Sequence, residues 1–144
     1  MNQTIEKFGY PKTAIAEGER WVVMLRPGQV TLGAAVVACK EDARSLPEVS
    51  AEAFVELKKI ARELERCLRE AFEFDKINYL ILMMIDPHVH LHVVPRYAAG
   101  RVFASTRFTD PGWPRQPVMA YEHQIPDSEF DELREYLSRL WRQG

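Results

Sequence analysis

Three of the four histidines in the chain fall within five residues, in Asp86-Pro87-His88-Val89-His90-Leu91-His92-Val93-Val94-Pro95-Arg96. His88, His90 and His92 alternate with Val89, Leu91 and Val93. In a strand the side-chain period is two, so the imidazoles share one face and the aliphatic side chains the other. Imidazole titrates near neutral pH, ligates metals and acts as a nucleophile. Asp86 has the parity of the histidines if the strand runs through Pro87. Its carboxylate is a candidate to orient a ring, although Asp-Pro is also an ordinary turn start.

Residue type and spacing leave three readings of this row. The first is a solvated strand face that tolerates histidine, which three alternate imidazoles make the weakest. The second is a metal site. His-x-His on one strand can give zinc two ligands. At ~3.3 Å per residue, however, the outer histidines start about 13 Å apart, so all three cannot converge on one ion without a strong bend. Such a site needs two of them plus Asp86 or the distant His123. The third is covalent catalysis. One imidazole attacks phosphorus, a neighbour fixes its tautomer, and another hydrogen-bonds a non-bridging oxygen. Linear spacing suits an extended phosphate chain.

The elements that must hold this row are readable in outline. Trp21-Val22-Val23-Met24-Leu25 reads as a strand, and Arg26-Pro27-Gly28-Gln29 has the signature of a type II turn. Val30 to Ala38 reads as the return strand, with Gly33 marking a bulge or a close backbone approach. Ser50 is a candidate N-cap for a helix over 51–72. Its apolar stripe runs through Phe54, Leu57, Ile60, Leu64, Cys67, Leu68 and Phe72, with Lys59–Glu63 and Glu65–Arg69 pairs on the solvated face. Ile77 to Ile85 is too apolar to alternate and reads as a strand buried on both faces. His88 to Val94 follows as a strand closed by Pro95. Asp127 or Ser128 is the candidate N-cap of a last helix that puts Phe130, Leu133, Leu137, Leu140 and Trp141 on one face. The expectation is an α+β domain spanning 1–144: an antiparallel sheet of about five strands, one long helix and a C-terminal helix.

The composition bounds the partners. With 144 residues, 19 Lys plus Arg and 21 Asp plus Glu, the formal charge is −2. Neither a basic excess nor a basic stripe is present, which argues against nucleic acid as a ligand. A small phosphorylated ligand needs only a few local donors. The longest apolar run, Tyr79 to Ile85, is far short of the ~20 residues that span a bilayer, so no membrane association is expected. Cys39 and Cys67 have no second cysteine at metal spacing and read as free core thiols. With no apolar leader in the first residues, the expected location is cytoplasmic. His123 reads as a surface or capping residue, and Trp113 and Trp141 as core or interface anchors.

The heptad His88-Val89-His90-Leu91-His92-Val93-Val94 resembles the signature of the histidine triad superfamily at every position. Pro95-Arg96 is similar to the branch of fragile-histidine-triad proteins and dinucleoside polyphosphate hydrolases. The order of hairpin, long helix and two strands is similar as well, so the likeness covers about residues 15–97, with 98–144 as an extension. The resemblance implies a homodimer with joined sheets. It implies hydrolysis or transfer of a nucleoside monophosphate group from dinucleoside polyphosphates or nucleoside phosphoramidates. By position, His90 is the nucleophile, His92 hydrogen-bonds the phosphate, and His88 orients and supports. It implies no cofactor at the triad, with a divalent cation accompanying the nucleotide as an option.

The chain departs from the family pattern in two places. Leu82-Met83-Met84-Ile85-Asp86-Pro87 stands where many members carry Gly with Gln or Ser. Leu32-Gly33-Ala34 stands in place of Pro-Gly-His. Arg26 lies near the family's ribose-contacting position, and that role is not carried over to it. Two alternatives to the enzyme therefore stand beside it: a metal-binding protein using two triad histidines, and a nucleotide-binding sensor without turnover.

Overall fold

The computed structural model describes Met1–Gly144. The periodic segment after Ser50 forms one helix, α2 (Ala51–Phe72), whose N-cap is the Ser50 hydroxyl accepting from the Ala53 N–H at 3.1 Å. It ends at Glu73 in the left-handed conformation. Its buried stripe is Ala53, Ile60, Leu64, Cys67, Leu68 and Phe72, while Phe54, expected on that stripe, is exposed.

Five strands make the main sheet: β1 (Ala14–Glu17), β2 (Trp21–Leu25), β3 (Ala35–Cys39), β4 (Lys76–Leu80) and β5 (His90–Arg96). Their order is β1-β2-β3-β5-β4, every pair antiparallel. A small hairpin, β6 (Arg101–Phe103) with β7 (Thr106–Phe108), stands apart. Two further helices flank the sheet, α1 (Gln3–Lys7) and α3 (Asp127–Arg142); α3 is capped by neither Asp127 nor Ser128, since Pro126 is its N-cap and Asp127 already lies in the first turn. This is the expected α+β architecture, with α1 and β1 added from a stretch too short and irregular to show a period.

The sheet is covered on both faces. Trp21, Val23, Leu25, Val37, Leu91 and Val93 pack with α2 and with Leu133 and Leu137 of α3 in the main core. On the opposite face α1 lays Ile5 against Val22, Met24, Val36 and Ala38. That second layer explains why β2, β3 and β5 are buried along their whole length.

Three local expectations change. The β2–β3 connection is not a type II turn at Pro27-Gly28. Gly28 lacks the positive φ that turn requires, and β3 begins at Ala35 rather than Val30. The buried Gln29 side chain organises the longer loop instead. Its amide donates to the carbonyls of Arg26 and Ala34 and accepts from the Gly33 N–H, each at 2.8 Å. Gly33 does make the close approach: φ is +89°, and a Cβ there would stand 2.9 Å from Leu68 Cδ2 of α2. Second, the strand expected over 77–85 stops at Leu80 and is a half-exposed edge, with Met84 and Ile85 in the loop beyond it. Third, the histidine strand runs from His90 to Arg96 through Pro95, because β3 pairing already stops at Val93 and leaves the missing N–H unneeded there.

Candidate active site

Strand β5 sits between β3 and β4, so its side chains have fixed neighbours. On the histidine face, His90 stands opposite Ala38, and His92 lies between Val36 and Leu80. His88 falls just before the strand, where its backbone N–H donates to Thr4 Oγ1 of α1 at 3.2 Å. The structure thus brings the His90 and His92 rings together, while His88 meets His90 through its carbonyl and turns its ring to Thr4 and Asp42. Two are on the strand, and the third is held at its mouth by a residue 84 positions away.

The hydrogen bonds settle which nitrogens carry protons. His90 Nδ1 lies 2.7 Å from the carbonyl oxygen of His88. A carbonyl only accepts, so Nδ1 carries the hydrogen and the lone pair of the neutral ring is on Nε2. His88 Nε2 lies 3.0 Å from the Asp42 carboxylate and donates to it. Its Nδ1 meets Thr4 Oγ1 at 3.1 Å. The same hydroxyl accepts from the His88 backbone N–H. His88 is therefore locked at both nitrogens.

His92 is different: its Nδ1 is buried with no hydrogen-bond partner. Its pKa is lowered to about 4, first by burial, then by His90 and the positive charge of Arg26, with Asp86 opposing. A buried imidazole with no anion to pair with stays neutral. The His90 and His92 rings meet edge-on at 5.0 Å, and Phe8 packs against both at 5.5 and 5.9 Å. Arg26 is held by the Glu122 carboxylate and the Gly28 carbonyl, while its own Nε is buried without a partner.

The site is closed on the α1 side. His88, His90 and His92 are 3%, 1% and 8% exposed. The largest cleft, about 770 Å³, lies beside them on β4, between Leu80, Asn78 and Arg96 and the segment Trp113–Pro117. The side chains do not gather three His, Cys, Asp or Glu ligands around one point.

A family model described as the HIT domain matches residues 10–99, more than half of the chain. The chain belongs to the histidine triad (HIT) family. No curated protein sequence matches it. Solved structures do. A histidine triad protein from Sinorhizobium meliloti 1021 is 18% identical, over 96% of this chain and 94% of its own, with a TM-score of 0.74. A hypothetical histidine triad nucleotide-binding protein from Sulfolobus tokodaii strain 7 is 16% identical, over 97% and 90%, at 0.69. A zinc-bound histidine triad family protein from Mycobacterium smegmatis is 22% identical, over 97% and 94%, at 0.65. At these identities the likeness is one of fold, and it extends past the matched domain into the C-terminal segment.

Other residues of this HIT chain take places the sequence did not show. Asp86 bonds no imidazole; it pairs with Lys7 of α1 at 2.8 Å. The carboxylate that orients a triad ring is Asp42, and Thr4 and Phe8 complete the surroundings. All three lie far from the triad in sequence, and nothing in their own neighbourhoods marks them. His123 is a half-buried bracket away from the triad: Nδ1 donates to the Gln29 carbonyl and Nε2 accepts from the Thr109 N–H. Trp141 packs on the core, while Trp113 lines the cleft. Cys39 and Cys67 are free and buried, and burial pushes the Cys67 thiol up to about 11. No helix is long and apolar enough to cross a membrane.

Proposed function

We propose that this HIT protein is a nucleotidyl hydrolase or transferase acting at the α-phosphorus of a nucleotide conjugate, with His90 as nucleophile. The observation that carries the reading is the 2.7 Å contact between His90 Nδ1 and the His88 carbonyl. It leaves the Nε2 lone pair free for attack, and attack at Nε2 generates an imidazolium that the same carbonyl stabilises. His92, neutral near pH 7, donates from Nε2 to a phosphoryl oxygen. His88, fixed by Thr4 and Asp42, holds the carbonyl in place. The nucleotide-binding description of the Sulfolobus relative agrees with this ligand class.

The chemistry is a double displacement. The His90 lone pair forms a P–N bond as the leaving group departs with the P–O or P–N bonding pair. Water, or an acceptor hydroxyl in a transfer, then takes the nucleotidyl group and returns the pair to the imidazole. The triad itself calls for no cofactor; a divalent cation enters only with the nucleotide. We also infer a homodimer in which a second copy adds along β4, whose outer edge carries no strand partner.

Trapping tests the reading. Brief incubation with α-labelled dinucleoside polyphosphates and phosphoramidates, followed by alkaline quench, is expected to leave acid-labile label on the wild-type chain and none on His90→Ala. Absence of both label and turnover across the panel overturns it.

A further inference from the structure

Arg26 follows β2, and its backbone N–H donates to the Ala34 carbonyl at 2.9 Å, which carries the β2–β3 pairing one residue further. Val22 and Met24 face α1, so alternation puts the Arg26 side chain on the histidine face. Met24 stands opposite Val36, and Val36 opposite His92. Arg26 and His92 are thus two strands and two residues apart, about 12 Å at Cα. The residues between them on this face, Ala34, Val36 and Val94, are apolar and buried. The Arg26 charge is felt at the triad, as one of the causes that keep His92 neutral.

The guanidinium is held from one end only. Nη1 donates to the Gly28 carbonyl and to the Glu122 carboxylate. Nε is buried without an acceptor, although the side chain is only 16% exposed, and Nη2 makes no hydrogen bond. Nε and Nη2 form the edge of the fork that grips an oxyanion with two parallel bonds. Arg96 shows that edge in use: its Nε and Nη2 donate to the two Asp110 oxygens at 2.7 and 3.0 Å. In Arg26 the same edge is empty. A buried charged donor without a partner costs stability, and an anion on the edge removes the cost. Donors around the triad are otherwise scarce, since residues 81–85 have no side chain that donates a hydrogen bond.

We propose, resting on the reading of His90 as nucleophile, that Arg26 is a catalytic residue: its Nε–Nη2 edge donates to a non-bridging oxygen of the phosphoryl group that His90 takes. Glu122 is the positioning residue that holds the guanidinium through Nη1. Negative charge on that oxygen is met by a cation already in place as His90 Nε2 closes on phosphorus, and again as water displaces the imidazole. The guanidinium gives up no proton in either step. Glu122 lies outside the matched residues 10–99, so the C-terminal extension takes part in the site. Its neighbour His123 fastens that segment, with the backbone N–H donating to the Gln29 carbonyl at 2.9 Å.

The test follows Arg26→Gln, Arg26→Lys and Glu122→Gln in the full chain, with diadenosine triphosphate and an adenosine phosphoramidate as substrates. Arg26→Gln is expected to lower kcat about 100-fold with KM changed less than about threefold. Arg26→Lys keeps the charge without the fork and is expected to fall between it and the wild type; it carries the test if Arg26→Gln does not fold. Glu122→Gln is expected to lower kcat about fivefold. Sulfur in place of one non-bridging α-oxygen separates this role from a structural one. The wild type is expected to prefer one phosphorothioate diastereomer at least about tenfold, and both Arg26→Gln and Glu122→Gln to shrink that preference at least about threefold. The Arg26→Gln loss is expected to persist on 2′-deoxy and 3′-deoxy substrates. A loss that vanishes with either sugar places the guanidinium on the ribose and overturns the proposal, as does an unchanged kcat or an unchanged diastereomer preference in Arg26→Gln. Label trapped on His90 at the wild-type rate in Arg26→Gln overturns this inference alone. No label and no turnover in the wild type with any conjugate overturns the nucleophile as well.

Discussion

Thr4 of α1 and His88 are 84 residues apart and share two hydrogen bonds, backbone N–H to Oγ1 at 3.2 Å and Oγ1 to Nδ1 at 3.1 Å. The pair fixes the first triad residue, and with it the carbonyl that orients His90.

Thr4→Val keeps the shape and removes both bonds, leaving a buried N–H and a buried ring nitrogen unpaired. The expected cost is about 1–3 kcal/mol in urea denaturation. If Thr4 positions the site, kcat falls about tenfold with KM little changed, because the binding surface is intact while the carbonyl loses its anchor. Thr4→Ser is expected to restore both quantities. Equal loss of kcat in the Thr4→Ser variant contradicts the positioning role.

His92 gives the fold an acid limb. Its pKa is about 4 when folded, against an ordinary 6.5, so below pH 6.5 the unfolded chain takes up a proton that the folded chain refuses. Stability from this group is present above pH 6.5 and is lost as pH falls from there to about 4. The expected loss is at most about 3 kcal/mol, reduced by the solvent that screens the part-exposed ring. His92→Gln should flatten that part of the profile. Since burial is the first cause, Phe8→Ala should move the His92 titration, followed by NMR, up towards 6.5; a further fall contradicts the assignment.

Arg96 and Asp110 form the most buried ion pair, with side chains 4% and 1% exposed and contacts at 2.7 and 3.0 Å. Arg96 also donates to Asn78 of β4, so the pair ties the C-terminal segment to the site's sheet. Asp110→Ala strands a buried guanidinium and is expected to cost about 3–5 kcal/mol. Arg96→Met with Asp110→Leu should cost much less, and a thermodynamic cycle over the four proteins reads the difference.

Gly33→Ala meets both a left-handed backbone and the Leu68 and Phe72 side chains at 2.9 and 3.2 Å. The expected penalty is about 1–3 kcal/mol, measured as a fall in Tm. A neutral substitution would mean that α2 yields at this contact.

The histidine row was legible because a period of two needs no knowledge of the rest of the fold. The long helix was legible because its stripe and its Ser50 cap are local. Pro27-Gly28 misled because the loop is held by a buried Gln29 side chain, which competes with the local turn preference. The run over 77–85 misled because apolarity alone does not separate a central strand from an edge strand followed by an exposed loop. Thr4, Phe8 and Asp42 reach the triad only through tertiary packing, and their own neighbourhoods carry no mark of it.

The covalent role of His90 is tested most directly by stereochemistry at phosphorus. A substrate made chiral at the α-phosphorus with oxygen isotopes is turned over in labelled water, and the configuration of the released nucleotide is read by phosphorus NMR. Attack by His90 followed by attack by water inverts phosphorus twice, so retention is the predicted result. Inversion would mean a single displacement by water and would contradict the account.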